Sequence, residues 1–170
     1  MLANNPKRQS GAAMVEMALA LTIFMMIVIA IFEFAMATFA WHRASEGARQ
    51  GLRNAIVSSP ATGSALSLGC PGGIPVVVTC TTVACQPTLN AIQRMAPFVQ
   101  GDQVTVTYAC SDTGNPDRPE ALAIPEVILE VTGLTYTFAI PGIIGLGTTM
   151  QLPDVKVSRT GEDLFTSTGE

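Results

Sequence analysis

From Met17 to Phe32 the chain carries no charged residue, and the wider stretch Ala12–Trp41 carries only Glu16 and Glu33. A helix rises ~1.5 Å per residue, so about 20 apolar residues cross the ~30 Å hydrocarbon core of a bilayer. The run is long enough, and it predicts one membrane-spanning helix. What remains of the 170 residues fits one modest domain, and the charged fraction of 13% is low against the roughly 25% of ordinary soluble domains because the charge is missing from this one stretch.

Glu16, at the entrance to the apolar run, is the anomaly. An ionised carboxylate in hydrocarbon is costly enough that it normally marks a function or a compensating partner. Three readings of the N-terminus compete. A secretory signal peptide would use Met17–Phe32 as its apolar core and "AMA" at Ala35–Ala37 as its cleavage site, but Glu33 just before that site and the long leader count against it. A plain uncleaved anchor leaves Glu16 unexplained. Cleavage after Gly11, on the cytoplasmic side, would put a new α-amine on Ala12 and leave Glu16 as the fifth residue of the mature chain. That amine is cationic up to a pKa near ~7.7–8.0, so one chain's Glu16 could neutralise another's amine between packed subunits. The pairing works at one axial stagger only, which would make Glu16 a register device for assembly.

The basic leader with Lys7 and Arg8, Gly11, the five-residue offset to Glu16 and the apolar helix together resemble the class III leader of type IV pilin-like proteins. More narrowly, "GAAMVEMALALTIFMMIVIAIFEF" followed by "HRASEGARQGLRNA" resembles the TadE-like minor pilins, or pseudopilins, of the tight adherence (Tad/Flp) type IV pilus system, over roughly residues 8 to 57. The resemblance implies a processing site at Gly11 and Ala12 and an assembly role for Glu16. It implies as partners a membrane aspartyl prepilin peptidase, an inner-membrane assembly platform, other pseudopilins and a major pilin. It also implies a bacterial inner-membrane protein with its N-terminus cytoplasmic and its C-terminal domain periplasmic, available for incorporation into an extracellular pilus.

Charge alone does not settle that orientation. Lys7 and Arg8 hold the N-terminus inside, but Arg43, Arg49 and Arg53, with only Glu46 among them, pull the other way. Four cysteines, Cys70, Cys80, Cys85 and Cys110, all lie beyond the span, which suits an oxidising compartment. Their spacing lacks the paired C-x-x-C form of a zinc site, so disulfides are expected ahead of free buried thiols, and no metal. Which of the three possible pairings forms stays open.

The helix is expected to outlast the membrane, from residue 12 to residue 57, a length of about 69 Å, before Pro60 stops it. Ala44, Gly47, Ala48 and Gly51 give it a small-residue face that permits close backbone approach, with Glu33, Gly47 and Gly51 as candidate packing residues. Trp41 reads as an interfacial anchor and Glu33 as a carboxylate near the outer headgroups, reaching interfacial water or engaged in subunit or partner packing. The expected organisation is leader 1–11, span and stalk 12–57, linker 58–73 and globular domain 74–170.

The fold class is α+β: a long N-terminal transmembrane helix, pilin-like, followed by a small antiparallel sheet with a short helix. "PVVVTCTT" and "DQVTVTYAC" read as strands, and "QPTLNAIQRMA" as a helix with Pro87 in its first turn and Leu89, Ile92 and Met95 or Ala96 on one face. In "EVILEVTGLTYTF" the apolar parity shifts at Gly133, as a bulge in one strand or a two-residue hairpin would cause. "MQLPDVKVSR" reads as one last strand. The apolar loop "AIPGIIGLGTTM" suits core packing or a contact with a partner.

Residues 54–170 hold four basic and ten acidic residues, so nucleic-acid binding through a basic surface is disfavoured. The acids Asp112 and Asp117 share a loop with Asn115, without EF-hand spacing, and read as solvated. The single histidine, His42, sits beside Trp41, and no phosphate-binding glycine motif or H-E-x-x-H motif occurs, so neither an enzyme nor a cofactor is expected. The alternative to a pilin-like protein is a secreted or single-pass anchored binding domain.

Overall fold

The computed structural model describes the backbone of residues 6–58, 60–61, 75–109, 126–138 and 149–160, with side chains from Gly11 onward. Helix α1 (Pro6–Val57) runs unbroken through the apolar stretch and the stalk, and takes in the last six residues of the segment read as leader. Between Met17 and Phe32 it is apolar on every side, Thr22 apart. Every residue from Gly11 to Ile27 is exposed, and the most apolar 18-residue window reaches a mean hydropathy of 2.6 with none of it buried. A helix of that kind folds stably only with lipid or other helices around it.

Beyond α1 come β1 (Val76–Thr79), a 3₁₀ turn at Val83–Cys85, α2 (Gln86–Met95), β2 (Val104–Ala109), β3 (Glu126–Val131), β4 (Thr135–Thr137), β5 (Thr149–Gln151) and β6 (Val155–Thr160). The α+β arrangement expected from the sequence is present. Strands β1-β2-β3-β6 form one antiparallel sheet in that order, and β4-β5 form a second, two-stranded one. The clean alternation of β2 is a burial alternation: Val104, Val106 and Tyr108 are buried, as are Val127, Leu129 and Val131 opposite them on β3. This face packs on α2, through Leu89 and Ile92, and on the upper half of α1, through Ala44, Ala48, Leu52, Ala55 and Ile56. On the other face Lys156 Nζ meets Glu130 Oε1 across the β3–β6 ladder at 2.6 Å. Ala96, fully buried, completes the inner face of α2, while Met95 stays 39% exposed.

Gly133 is neither a bulge nor a hairpin turn. Between the pairs Val131↔Val155 and Thr135↔Gln151 each arm advances four residues, so the register is unchanged, whereas a bulge would add a residue to one arm. A hairpin would pair β3 with β4, but β4 pairs with β5. Instead, the β3–β6 ribbon bends as a unit and continues as β4–β5. Gly133, at φ 68°, takes the left-handed conformation on one arm. Pro153, which has no N–H for a ladder, sits in the break on the other. Consequently "MQLPDVKVSR" is two strands, β5 and β6, parted at Leu152–Asp154. One bond holds the bend closed, from the Leu152 N–H to the Leu134 carbonyl at 2.8 Å.

The chain leaving α1 is pinned at once. Pro60 and Ala61, read as the start of a linker, are buried, and the Ala61 N–H donates to the Tyr108 hydroxyl at 2.9 Å. Burial raises the Tyr108 phenol above its usual pKa of 10.0, against a smaller lowering from the Ala61 bond. Above that pH the unfolded chain ionises this group while the folded one holds its proton, so stability is present below pH 10 and falls as pH rises through the raised value. Tyr108→Phe is expected to remove part of this alkaline loss. At neutral pH it should cost about 1–3 kcal/mol, because a buried N–H loses its acceptor. Thermal unfolding at neutral and alkaline pH measures both effects.

Candidate functional site

The candidate site is α1 itself, and its two halves meet different surroundings. Gly11, Ala12 and Glu16 are exposed on the bare half, and a Cβ at Gly11 would meet nothing within 4 Å. The helix therefore presents Gly11, Ala12 and the Glu16 side chain outward, clear of the chain's own domain.

The other half is claimed by the chain's own domain, along the face of Glu33, Ala37, Ala44, Gly47, Ala48, Gly51 and Ala55. The small residues do permit close approach, and the element that approaches is α2. A Cβ at Gly47 would lie 2.9 Å from the Ile92 carbonyl oxygen, and one at Gly51 would lie 2.5 Å from Ile92 Cγ1. Arg43 ties the end of α2 to the same helix, its Nε donating to the Met95 carbonyl at 2.6 Å while its guanidinium stands 5.7 Å over the Phe39 ring.

Trp41 is not a free interfacial anchor. Its indole is half-buried against the core, and Nε1 donates to the Pro153 carbonyl at 3.1 Å, at the break between β5 and β6. The polar end that a membrane-interface tryptophan would turn to headgroups is bonded to the chain's own backbone.

Glu33 is only 8% exposed, which overturns the reading as a carboxylate reaching water, and what stands against it is the chain's own β4. The Tyr136 hydroxyl of β4 donates a long hydrogen bond to Glu33 Oε2 at 3.4 Å. Desolvation, then the Glu33 charge, then that hydrogen bond push the Tyr136 phenol above its usual pKa, so it keeps its proton as donor through the neutral range. Tyr136 is the residue that sequence reasoning missed. Its signal was the parity shift at Gly133, but nothing local ties residue 136 to residue 33.

Cys80 and Cys85 form a disulfide with Cα atoms 5.0 Å apart, joining the end of β1 to the turn that leads into α2. Cys70 and Cys110 lie outside the described residues, as do the acidic loop at Asp112–Asp117 and the connection between β4 and β5.

Residues 11–53 match the model of the TadE-like protein family, a match consistent with a TadE-like protein of the Tad pilus system. It begins at Gly11 and ends on the stalk, covering about a quarter of the chain and none of the sheet. No curated protein and no solved structure matches the chain.

Proposed function

We propose that this chain is a minor pilin or pseudopilin of a Tad (type IVc-like) pilus, inserted through α1, cut after Gly11 by a prepilin peptidase and assembled through Glu16. It is a peptidase substrate rather than an enzyme. Its partners in this reading are the peptidase, the inner-membrane assembly platform, other pseudopilins and the major pilin, with the sheet domain on the periplasmic side.

One observation carries the reading: the family match starts at Gly11, and from there α1 offers Ala12 and Glu16 outward on a helix with no intramolecular cover for about seventeen residues. The exposed carboxylate needs a counter-charge, and the amine that cleavage would free lies one helical turn away along the axis.

The test is the intact mass and N-terminal sequence of the membrane-extracted protein, from cells with and without the matching peptidase. The expected result is a peptidase-dependent start at Ala12. A start at Met1 in both strains, or beyond Ala37, would overturn the reading in favour of an anchored or secreted domain.

A further inference from the structure

We infer that the cleft between the upper stalk and β6 docks an acidic segment of a partner protein, held by the guanidinium groups of Arg49, Arg53 and Arg159. The inference rests on the proposed function only for the side of the membrane on which the cleft lies.

The cleft has a volume of about 310 Å³ and is lined by Arg49, Leu52 and Arg53 of α1 and by Val157, Ser158 and Arg159 of β6. Two periodicities bring its cations together. Arg49 and Arg53, four residues apart, stand one above the other on one face of the helix. On β6, Arg159 falls in the same alternation as Val155 and Val157, whose partners on β3 are the buried Val131 and Leu129. It is therefore turned to the helix side of the sheet, away from the face that carries Lys156. All three arginines are exposed.

The grouping is unfavourable as it stands. Like charges four residues apart on a helix repel, and a third cation faces them. Their described counter-charge is Glu46, 3.8 Å from Arg49, with both side chains more than half exposed. Among the described residues, Arg53 and Arg159 pair with no carboxylate. An inward-facing charge on an edge strand discourages stray pairing, which accounts for Arg159, since β6 is the edge of its sheet. It does not account for two more guanidinium groups across the cleft.

The surroundings select the kind of anion. Guanidinium forks match carboxylates and phosphates alike. Between them, however, the cleft is apolar, with Leu52 buried and Val157 half-buried. A bare inorganic ion makes no use of that surface, whereas a peptide with acidic and apolar side chains does. A long polyanion would run on over residues 54–170, which hold four basic and ten acidic residues. A short acidic segment ends within the cleft. Lipid phosphates are out of reach: Arg49 and Arg53 stand about 50 and 56 Å beyond Glu16 along the helix, past the ~40–45 Å of a bilayer with its headgroups.

The test measures fluorescence anisotropy of a labelled peptide of alternating Glu, Asp, Leu and Phe residues, titrated with the full-length protein in neutral detergent at low salt. A second peptide carries Gln and Asn in place of the acids. The expected result is saturable binding of the acidic peptide alone. Its Kd should rise about tenfold in the Arg53→Gln/Arg159→Gln variant, as the loss of two exposed ion pairs implies, and should change little in Arg94→Gln. Arg53, Arg94 and Arg159 are all exposed, so thermal unfolding should be unchanged in these variants. Failure of the acidic peptide to bind, equal binding of the amide peptide, or an equal loss in Arg94→Gln would overturn the inference. Displacement by an equal concentration of inorganic phosphate would reduce the cleft to a general anion site, and tighter binding of a single-stranded oligonucleotide would exchange the partner class; either overturns it. So would binding seen only after Glu162→Gln and Asp163→Asn, which would assign the cleft to the chain's own acids. None of these readouts depends on cleavage after Gly11, so the proposed function stands or falls separately.

Discussion

Replacing Glu16 by alanine is expected to abolish incorporation of the protein into assembled fibres while leaving membrane insertion, cleavage after Gly11 and folding of the sheet domain unchanged. Glu16 is exposed on α1 and touches no part of the domain, so its loss removes nothing from the folded monomer. In the bundle of the proposed function, the change would leave a neighbour's α-amine without its counter-charge in an apolar setting. Breaking one half of a buried ion pair in this way costs about 3–5 kcal/mol. Glu16→Gln should fail almost as completely, since an amide keeps the size and loses the charge. Fractionation into membrane and sheared-fibre pools, with immunoblotting, measures the outcome. Normal fibre incorporation of the alanine variant would remove Glu16 from the assembly mechanism. The same pairing also predicts weaker assembly as pH rises past the ~7.7–8.0 range in which an α-amine loses its proton.

The second large effect is expected at Gly51. Valine there would drive its Cβ to 2.5 Å from Ile92 Cγ1 and 3.3 Å from Leu129 Cδ1, with two methyls still to place. Overpacking of this kind costs about 1–3 kcal/mol, and the helix preference gained by replacing glycine offsets less than about 1 kcal/mol. Adding Gly47→Val presses on the Ile92 carbonyl, a backbone atom that cannot rotate away. The double variant should therefore release α2 from α1 and expose the domain to proteolysis. Specific coupling is checked with Ile92→Ala: truncating Ile92 should cost less in the Gly51→Val background than in the native chain, because the cavity is then filled. Equal costs in both backgrounds would show that the two positions do not share the contact.

Much of this architecture was legible because it is local. The uncharged run gave α1, Pro87 and the i, i+3, i+7 face gave α2, and the alternation of Val104, Val106 and Tyr108 gave a half-buried strand whose partner shows the same alternation. The ends of the two main helices follow from Pro60 and Pro97. What was not legible depends on pairings distant in sequence. The shift at Gly133 fitted a bulge or a hairpin equally well until the partner strand was known to break at Pro153 in the same register. Trp41 and Glu33 have the sequence context of a membrane boundary, and each is claimed by the bent ribbon more than a hundred residues away. The small-residue face of Gly47 and Gly51 was readable as a site of close helix approach, but not the identity of the approaching helix, since α2 on the same chain satisfies the same pattern as a neighbour would.

Because α1 passes from Glu16 to the core without a break, it acts mechanically as a crank. The globular domain has no swivel of its own where it grips the shaft at Glu33, Trp41, Gly47 and Gly51. Whatever azimuth the apolar end adopts among its neighbours is handed to the sheet without slack. One residue inserted between Phe32 and Glu33 would turn the domain by about 100° and lift it by ~1.5 Å relative to Glu16. Domain orientation in an assembly is thereby set by the phase of a single helix, and a fibre built on such subunits would display its outer surface in a pattern fixed by counting residues.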